Sequence, residues 1–159
     1  MLDLFARHGL FDLDVQASGD LHVDYHHTVE DVGITLGQAF TKALGDKAGI
    51  RRYGCAHVPM DEALVRAVVD LSGRPFLAYD APPAVEPIGS LFSFQLVEEF
   101  LRALTTHAAM NLHLSILAGK DAHHMAEGTF KSLARALDEA TTVDPRVQGV
   151  PSTKGSLTV

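Results

Sequence analysis

Apolar positions change their period several times along the chain, and each change marks an element. Leu2, Leu4 and Phe5 followed by His8-Gly9 predict a short helix stopped by glycine. The period then drops to two: Leu13, Val15 and Ala17 alternate, Ser18-Gly19-Asp20 breaks the run, and Leu21 and Val23 resume it, which predicts a hairpin. From His26 to about Leu44, the apolar residues Val29, Val32, Ile34, Leu36, Ala39, Phe40, Ala43 and Leu44 fit a helix that Gly45 closes. Residues 53–83 read as strands with turns at Met60-Asp61 and Ser72-Gly73, and "APPAVEPIG" reads as a loop because proline cannot serve an interior strand. "SLFSFQLVEEFLRALTTHA" is helical in its later part, "MNLHLSILAG" is a strand, and a long helix runs from about Asp121 to Ala140 with Asp121 as N-cap. The polar tail from Thr141 is expected to be disordered, or ordered only by a ligand or a neighbouring subunit.

This order repeats: a short helix, a strand, then a long helix headed by His-His-x-x-Glu. The motifs start 97 positions apart, at His26 and His123, and the short helices end at His8 and His107, 99 apart. Both spacings point to an internal duplication, with a first repeat over 1–85 and a second over 86–159. If His8 matches His107, Glu99 matches the position just before Met1.

Composition narrows the function classes. At 159 residues the chain is one domain by length, and no apolar run approaches the ~18 residues of a membrane span. The opening residues lack the pattern of a secretory signal. A formal charge of −7 argues against a general nucleic-acid surface. Cys55 is the single cysteine, which agrees with a reducing cytoplasm.

Nine histidines are the oddity, and four of them form the pairs His26-His27 and His123-His124. Residues four apart share a helix face whereas adjacent residues point roughly 100° apart. His26 with Glu30, and His123 with Glu127, can therefore each face one metal ion, while His27 and His124 aim elsewhere. Two such motifs about a pseudo-twofold axis would make two sites, each taking His and Glu from one helix and the spare His from the other. Imidazole and carboxylate without thiolate suit Mn²⁺, Fe²⁺ or Zn²⁺. The bland reading, surface decoration or capping, suits one isolated motif better than two in matching positions. His8, His22, His57 and His107 carry no comparable pattern, and His113 on its strand reads as either a site residue or a packed one.

Cations for an anionic substrate are few. Arg52 in "GIRRYG", Arg74 in "LSGRPF", Lys131 in "TFKSLARAL" and Lys154 in "PSTKG" stand beside glycine or small residues that allow close approach. Lys131 is the best placed, four residues after Glu127 on the same helix face. The bland reading for each is a solvated charge.

Together "ARHGLFDLDVQASGDLHVDYHHTVEDVGITLGQAF", "GIRRYG", "PMDEAL", "DLSGRPFL", "LHLSILAGKDAHHMAEGTFKSLARAL" and "PSTKG" closely resemble the imidazoleglycerol-phosphate dehydratase family of histidine biosynthesis, nearly end to end. The resemblance implies an α+β fold of duplicated βαβ-type repeats, with four-stranded sheets packed against helices, of the ribosomal protein S5 domain 2-like kind. It implies two Mn²⁺ ions per active site, with sites assembled between subunits of a large hollow homo-oligomer built from trimers. His26, His27, Glu30, His123, His124 and Glu127 fall on the family's metal ligands, and Glu99 falls where many members have a histidine ligand. Arg52, Arg74, Lys131 and Lys154 fall on residues that bind the substrate phosphate or close over it. Members carry roughly forty further N-terminal residues, holding early strands whose loss would leave sheet edges unpaired. Those residues also hold a substrate-contacting glutamate and an "FDHM" segment whose histidine ligates a metal. Met1 is expected to be that segment's methionine, so the chain reads as a shortened form.

The expected reaction is dehydration of imidazoleglycerol phosphate to imidazole-acetol phosphate. Metals on the ring nitrogens would serve as Lewis acids, and Glu30 or Glu127 would move the proton only if not committed to metal, the family's N-terminal glutamate being the stronger candidate. Two rivals stand beside it: a metal-dependent hydrolase using the same ligands to activate water, and a catalytically incompetent form whose histidines serve metal-driven assembly.

Overall fold

The computed structural model describes residues 1–82, 87–89 and 92–157. Helix α1 (Leu2–Gly9) and helix α2 (His26–Leu44) are followed by strands β1 (Tyr53–Met60), β2 (Ala63–Asp70) and β3 (Phe76–Asp80), then by helix α3 (Gln95–His107), strand β4 (Asn111–Ala118) and helix α4 (Ala122–Thr141). The strands form one mixed sheet in the order β1-β2-β4-β3. β1 to β2 and β2 to β4 are antiparallel, whereas β3 runs parallel to β4. The architecture is α+β.

Alternation along the central strands decides which face is buried. Ala63, Val65, Ala67 and Val69 of β2 and Leu112 and Leu114 of β4 lie at or below 1% exposure, while Val68 and His113, one residue off, face outward. α4 covers the buried face over β1 and β2, presenting Met125, Ala126, Leu133, Ala134 and Leu137, and α1 packs behind it with Phe5 fully buried. Contact between α4 and β1 is close because Gly54 has no side chain: a Cβ there would sit 1.9 Å from the Ala136 carbonyl oxygen. α2 packs on α3 by the same device, since Cβ atoms at Gly33 and Gly37 would lie 2.9 and 2.8 Å from the carbonyl oxygens of Phe100 and Leu104.

Two expectations are corrected. Residues 11–24 form no hairpin: they run without a ladder past α2, with a turn closed by Val23 N–H donating to Asp20 O at 2.7 Å. The alternation is present, but Val15, Leu21 and Val23 are 43%, 51% and 63% exposed, and two strands without a sheet or helix to cover their apolar face are marginal. A groove of about 480 Å³ separates Leu13–Ser18 from Thr28, Val32 and Leu36. The tail is likewise ordered rather than loose through its described residues. Val143 bridges Ile50, Gly49 N–H donates to Gly149 O at 2.8 Å, Asp144 N–H donates to Gly49 O at 2.8 Å, and Leu157 is 4% exposed. Within the loop placed at "APPAVEPIG", residues 83–86 lie outside the described set.

Candidate active site

Both His-His-x-x-Glu motifs open a helix. At the second, Asp121 is the N-cap: its Oδ1 accepts from His123 N–H at 2.8 Å and from His124 N–H at 3.0 Å, fixing the first turn from which both rings project. His123 Nε2 lies 3.2 Å from Glu127 Oε2, so one imidazole and one carboxylate converge from a single helix face, as the four-residue spacing predicts. Glu127 also pairs with Lys131, whose Nζ sits 3.7 Å from Met60 Sδ. That lysine, acting first, and then His123 hold the Glu127 carboxyl below its ordinary range. His124 turns away from this pair. Its Nδ1 lies 2.7 Å from Glu62 Oε2, and its Nε2 lies 3.6 Å from Asp61 Oδ2. The Glu62 bond raises the His124 pKa.

The first motif is held more lightly. Tyr25 occupies the N-cap without a side-chain bond, and Asp24 Oδ1 accepts from His26 N–H at 2.8 Å. His27 is exposed, and its Nδ1 lies 2.9 Å from Asp20 Oδ2, a bond that raises the His27 pKa. His26 and Glu30 are half-buried. Glu99 is half-buried on α3. Among the described residues, no three His, Cys, Asp or Glu side chains come close enough together to hold a metal ion. The donor chemistry therefore suits a divalent ion of intermediate hardness, but one chain supplies partial sets, and the exchange of spare histidines between the two motifs does not occur within it.

Three of the four candidate cations converge. Arg52, Arg74 and Lys154 line a cavity of about 620 Å³ with Tyr53, Ser152, Thr153 and Ser156. Arg52 is largely committed there: its Nε and Nη2 donate to Asp70 at 2.7 and 3.1 Å, its Nη1 donates to Pro151 O at 2.9 Å, and its guanidinium stacks 4.7 Å from the Tyr53 ring. Arg74 and Lys154 are exposed at the cavity. The turn carrying Arg74 is fastened by Asn111 Nδ2 donating to its carbonyl at 2.6 Å. Lys131 is not part of this group.

The two clusters lie at opposite ends of the molecule. Lys131 and His124 reach the Met60–Glu62 end of β1, whereas Arg52 and Tyr53 begin that strand, roughly 20 Å away at about 3.3 Å per residue. α2 agrees. His26 opens the helix and Leu44 closes it, and just beyond, Lys47 Nζ donates to Leu157 O at 3.4 Å beside the cationic cavity.

The sequence profile described as imidazoleglycerol-phosphate dehydratase matches residues 1–137. The chain belongs to the imidazoleglycerol-phosphate dehydratase family. It is 58% identical over 157 residues to the Bacillus subtilis enzyme of that name, and 57% identical over the same length to the Geobacter metallireducens one; each alignment takes 99% of this chain and 80% of the relative. The crystal structure of the Staphylococcus aureus dehydratase matches with a TM-score of 0.83 at 41% identity, covering 90% of this chain and 81% of that one. The Pyrococcus furiosus dehydratase, solved in complex with (S)-C348, matches at 0.77 and 34% identity, covering 98% and 82%. This dehydratase is thus a carbon–oxygen lyase of histidine biosynthesis that acts on imidazoleglycerol phosphate. No helix among the described residues is long and apolar enough to cross a membrane.

Sequence reasoning placed the histidines and the cations, but it passed over Glu62 and Asp20. Each is an ordinary turn-region acid in the sequence, and the ring nitrogen it meets becomes visible only when the chain folds.

Proposed function

We propose that this dehydratase works with divalent metal, Mn²⁺ as the first choice, held by His26, His27, Glu30, Glu99, His123, His124 and Glu127, in active sites completed by neighbouring copies in the cytoplasm. The observation that carries the reading is the separation of the two clusters on one chain. A three-carbon chain with bonds of about 1.5 Å cannot join an imidazole at the helix openings to a phosphate roughly 20 Å away. A complete site therefore needs the imidazole end of one chain against the phosphate end of another, which supports trimers and higher homo-oligomers.

In the reaction, the carbon bearing the ring loses its hydroxyl as water and the neighbouring carbon gives up its hydrogen as a proton. The enol so formed becomes the ketone. The metal, when bound, supplies Lewis acidity to the imidazole ring, the one electron sink the substrate has. Glu127, kept ionised by Lys131 beside His123, and Glu30, its counterpart on the first helix, accept the proton only where the carboxylate is not committed to metal. Arg74 and Lys154, with the hydroxyls of Ser152, Thr153 and Ser156, grip the phosphate. Arg52 holds the wall of that cavity by tying Asp70 to Pro151.

The test is turnover of imidazoleglycerol phosphate by metal-stripped protein before and after Mn²⁺ is restored. Ketone formation that requires Mn²⁺ and disappears in Glu127→Gln, with the fold intact by circular dichroism, is the expected outcome. Release of free phosphate in place of ketone would favour a hydrolase. Oligomers that fall apart on chelation, without turnover in any state, would leave the histidines an assembly role. Wild-type rates in Glu127→Gln would remove that residue from the site.

A further inference from the structure

The second histidine of each motif shares a feature that its sequence neighbours do not predict. His124 Nδ1 and His27 Nδ1 each face a carboxylate oxygen, at 2.7 and 2.9 Å, although the two carboxylates arrive by unrelated routes: Glu62 from the β1–β2 turn, Asp20 from the loop before α2. Glu62 is the more firmly built of the two. Its Oε1 accepts from the backbone N–H groups of Lys120 at 3.0 Å and Asp121 at 2.8 Å, which can only donate. Its other oxygen, Oε2, is the one that meets the His124 ring, and a carboxylate only accepts. In a neutral imidazole the nitrogen facing such an acceptor carries the hydrogen, and the other nitrogen keeps its lone pair.

We infer that Glu62 is a positioning residue that fixes His124 as the Nδ1–H tautomer with its ring aimed, leaving Nε2 as the metal donor, and that Asp20 does the same more loosely for His27. The inference rests on the metal reading above. Carboxylate partners of ligating histidines commonly raise metal affinity 10–100-fold.

Glu62→Gln separates this role from a purely structural one. The glutamine oxygen can still accept from Lys120 and Asp121, so the turn keeps its tie, while the amide NH₂ now faces Nδ1 and donates to it. The tautomer must then switch to Nε2–H. Nitrogen-15 spectra of histidine-labelled, metal-free protein at pH 8.5, with His124 assigned by its loss in His124→Gln, read the tautomer directly. Mn²⁺ affinity is read separately from the electron paramagnetic resonance signal of free Mn²⁺.

The expected result is Nδ1–H in the wild type, Nε2–H in Glu62→Gln, little change in Tm, and Mn²⁺ binding weakened about 10–100-fold. Glu62→Ala should lower Tm as well, because it strips the two backbone donors. Nε2–H in the wild type overturns the inference, and so does a switched tautomer with unchanged Mn²⁺ affinity, which would leave Glu62 a strut of the turn. Wild-type protein that binds no Mn²⁺ overturns the metal reading itself, and the inference with it.

Discussion

The two His-His-x-x-Glu motifs are the same word set in different frames. The second opens α4, whose N-cap Asp121 satisfies two backbone donors, whose second histidine is gripped by Glu62 across 62 residues of sequence, and whose apolar face fills the core from Ala122 to Ala140. The first opens α2, which has no side-chain N-cap bond, takes its histidine partner from seven residues away, and buries only Gly33, Leu36 and Gly37. Both motifs carry an imidazole and a carboxylate four residues apart on one helix face, so the donor set is a property of the motif, and in the second the two meet at 3.2 Å. How firmly the donors are held is a property of what the helix packs against, and motif spacing says nothing about that.

The largest expected effect probes that difference at the helix contacts. Gly54→Ala places a methyl group 1.9 Å from Ala136 O, against backbone that cannot rotate away, so α4 must lift from β1; the cost should reach about 3 kcal/mol or prevent folding. Gly37→Ala meets Leu104 O and the His107 Cβ at 2.8 Å, a milder overlap, and should cost about 1–2 kcal/mol. Urea unfolding of both variants measures the contrast. Equal losses would mean that α2 is as deeply built in as α4.

Capping supplies a smaller contrast. Asp121→Ala removes the acceptor of two N–H groups and should cost about 1 kcal/mol, whereas Asp24→Ala, which removes one exposed acceptor, should stay nearer a few tenths. Thermal unfolding at constant pH decides it, and a larger Tm drop for Asp24→Ala would reverse the ranking of the two frames.

What could be read from the sequence followed the same line. α2 and α4 were legible to within a residue or two because amphipathic period, Gly45 and Asp121 are all local. The turn at Asp61 and the strand pair around it were legible because alternation met turn chemistry. The hairpin at Leu13–Val23 was not, because alternation states which side chains share a face but not whether a sheet exists to receive them. The tail was missed for the complementary reason: its order comes from Lys47, Ile50 and Arg52, about a hundred residues earlier, and its own polar composition carries no trace of them. At the candidate site, the paired histidines and the cations were visible as motifs, and the carboxylates that meet the second histidines were not, since Glu62 meets His124 only through the sheet register and the loop before α4.

The tail also joins the two frames, and that join should loosen only in strong acid. Asp144 N–H donates to Gly49 O, just after α2, while the Asp144 side chain receives Arg146 Nε at 2.9 Å, Arg146 N–H at 3.0 Å and Arg146 Nη2 at 2.6 Å, with Arg51 at 3.8 Å. These donors, the Arg146 side chain foremost, hold the carboxyl well below the ordinary carboxylate range. A group whose pKa is lower folded than unfolded stabilises the fold above its unfolded value, here 3.8, and that contribution is lost as pH falls through the folded value. The Arg146 amide resonance, followed by nuclear magnetic resonance from pH 5 downward, should therefore titrate with a midpoint under 3.8 and lose its titration in Asp144→Asn. Because Asp144 fastens the end of the α4 half to the start of the sheet beyond α2, the same acid step should release Gly49 from the tail while the α4 core, which Asp144 does not enter, stays folded. A midpoint at or above 3.8 would mean that the arginine fork does not hold the tail in solution, and that the two halves are joined through the sheet, the helix contacts and the Lys47 and Arg52 bonds without it.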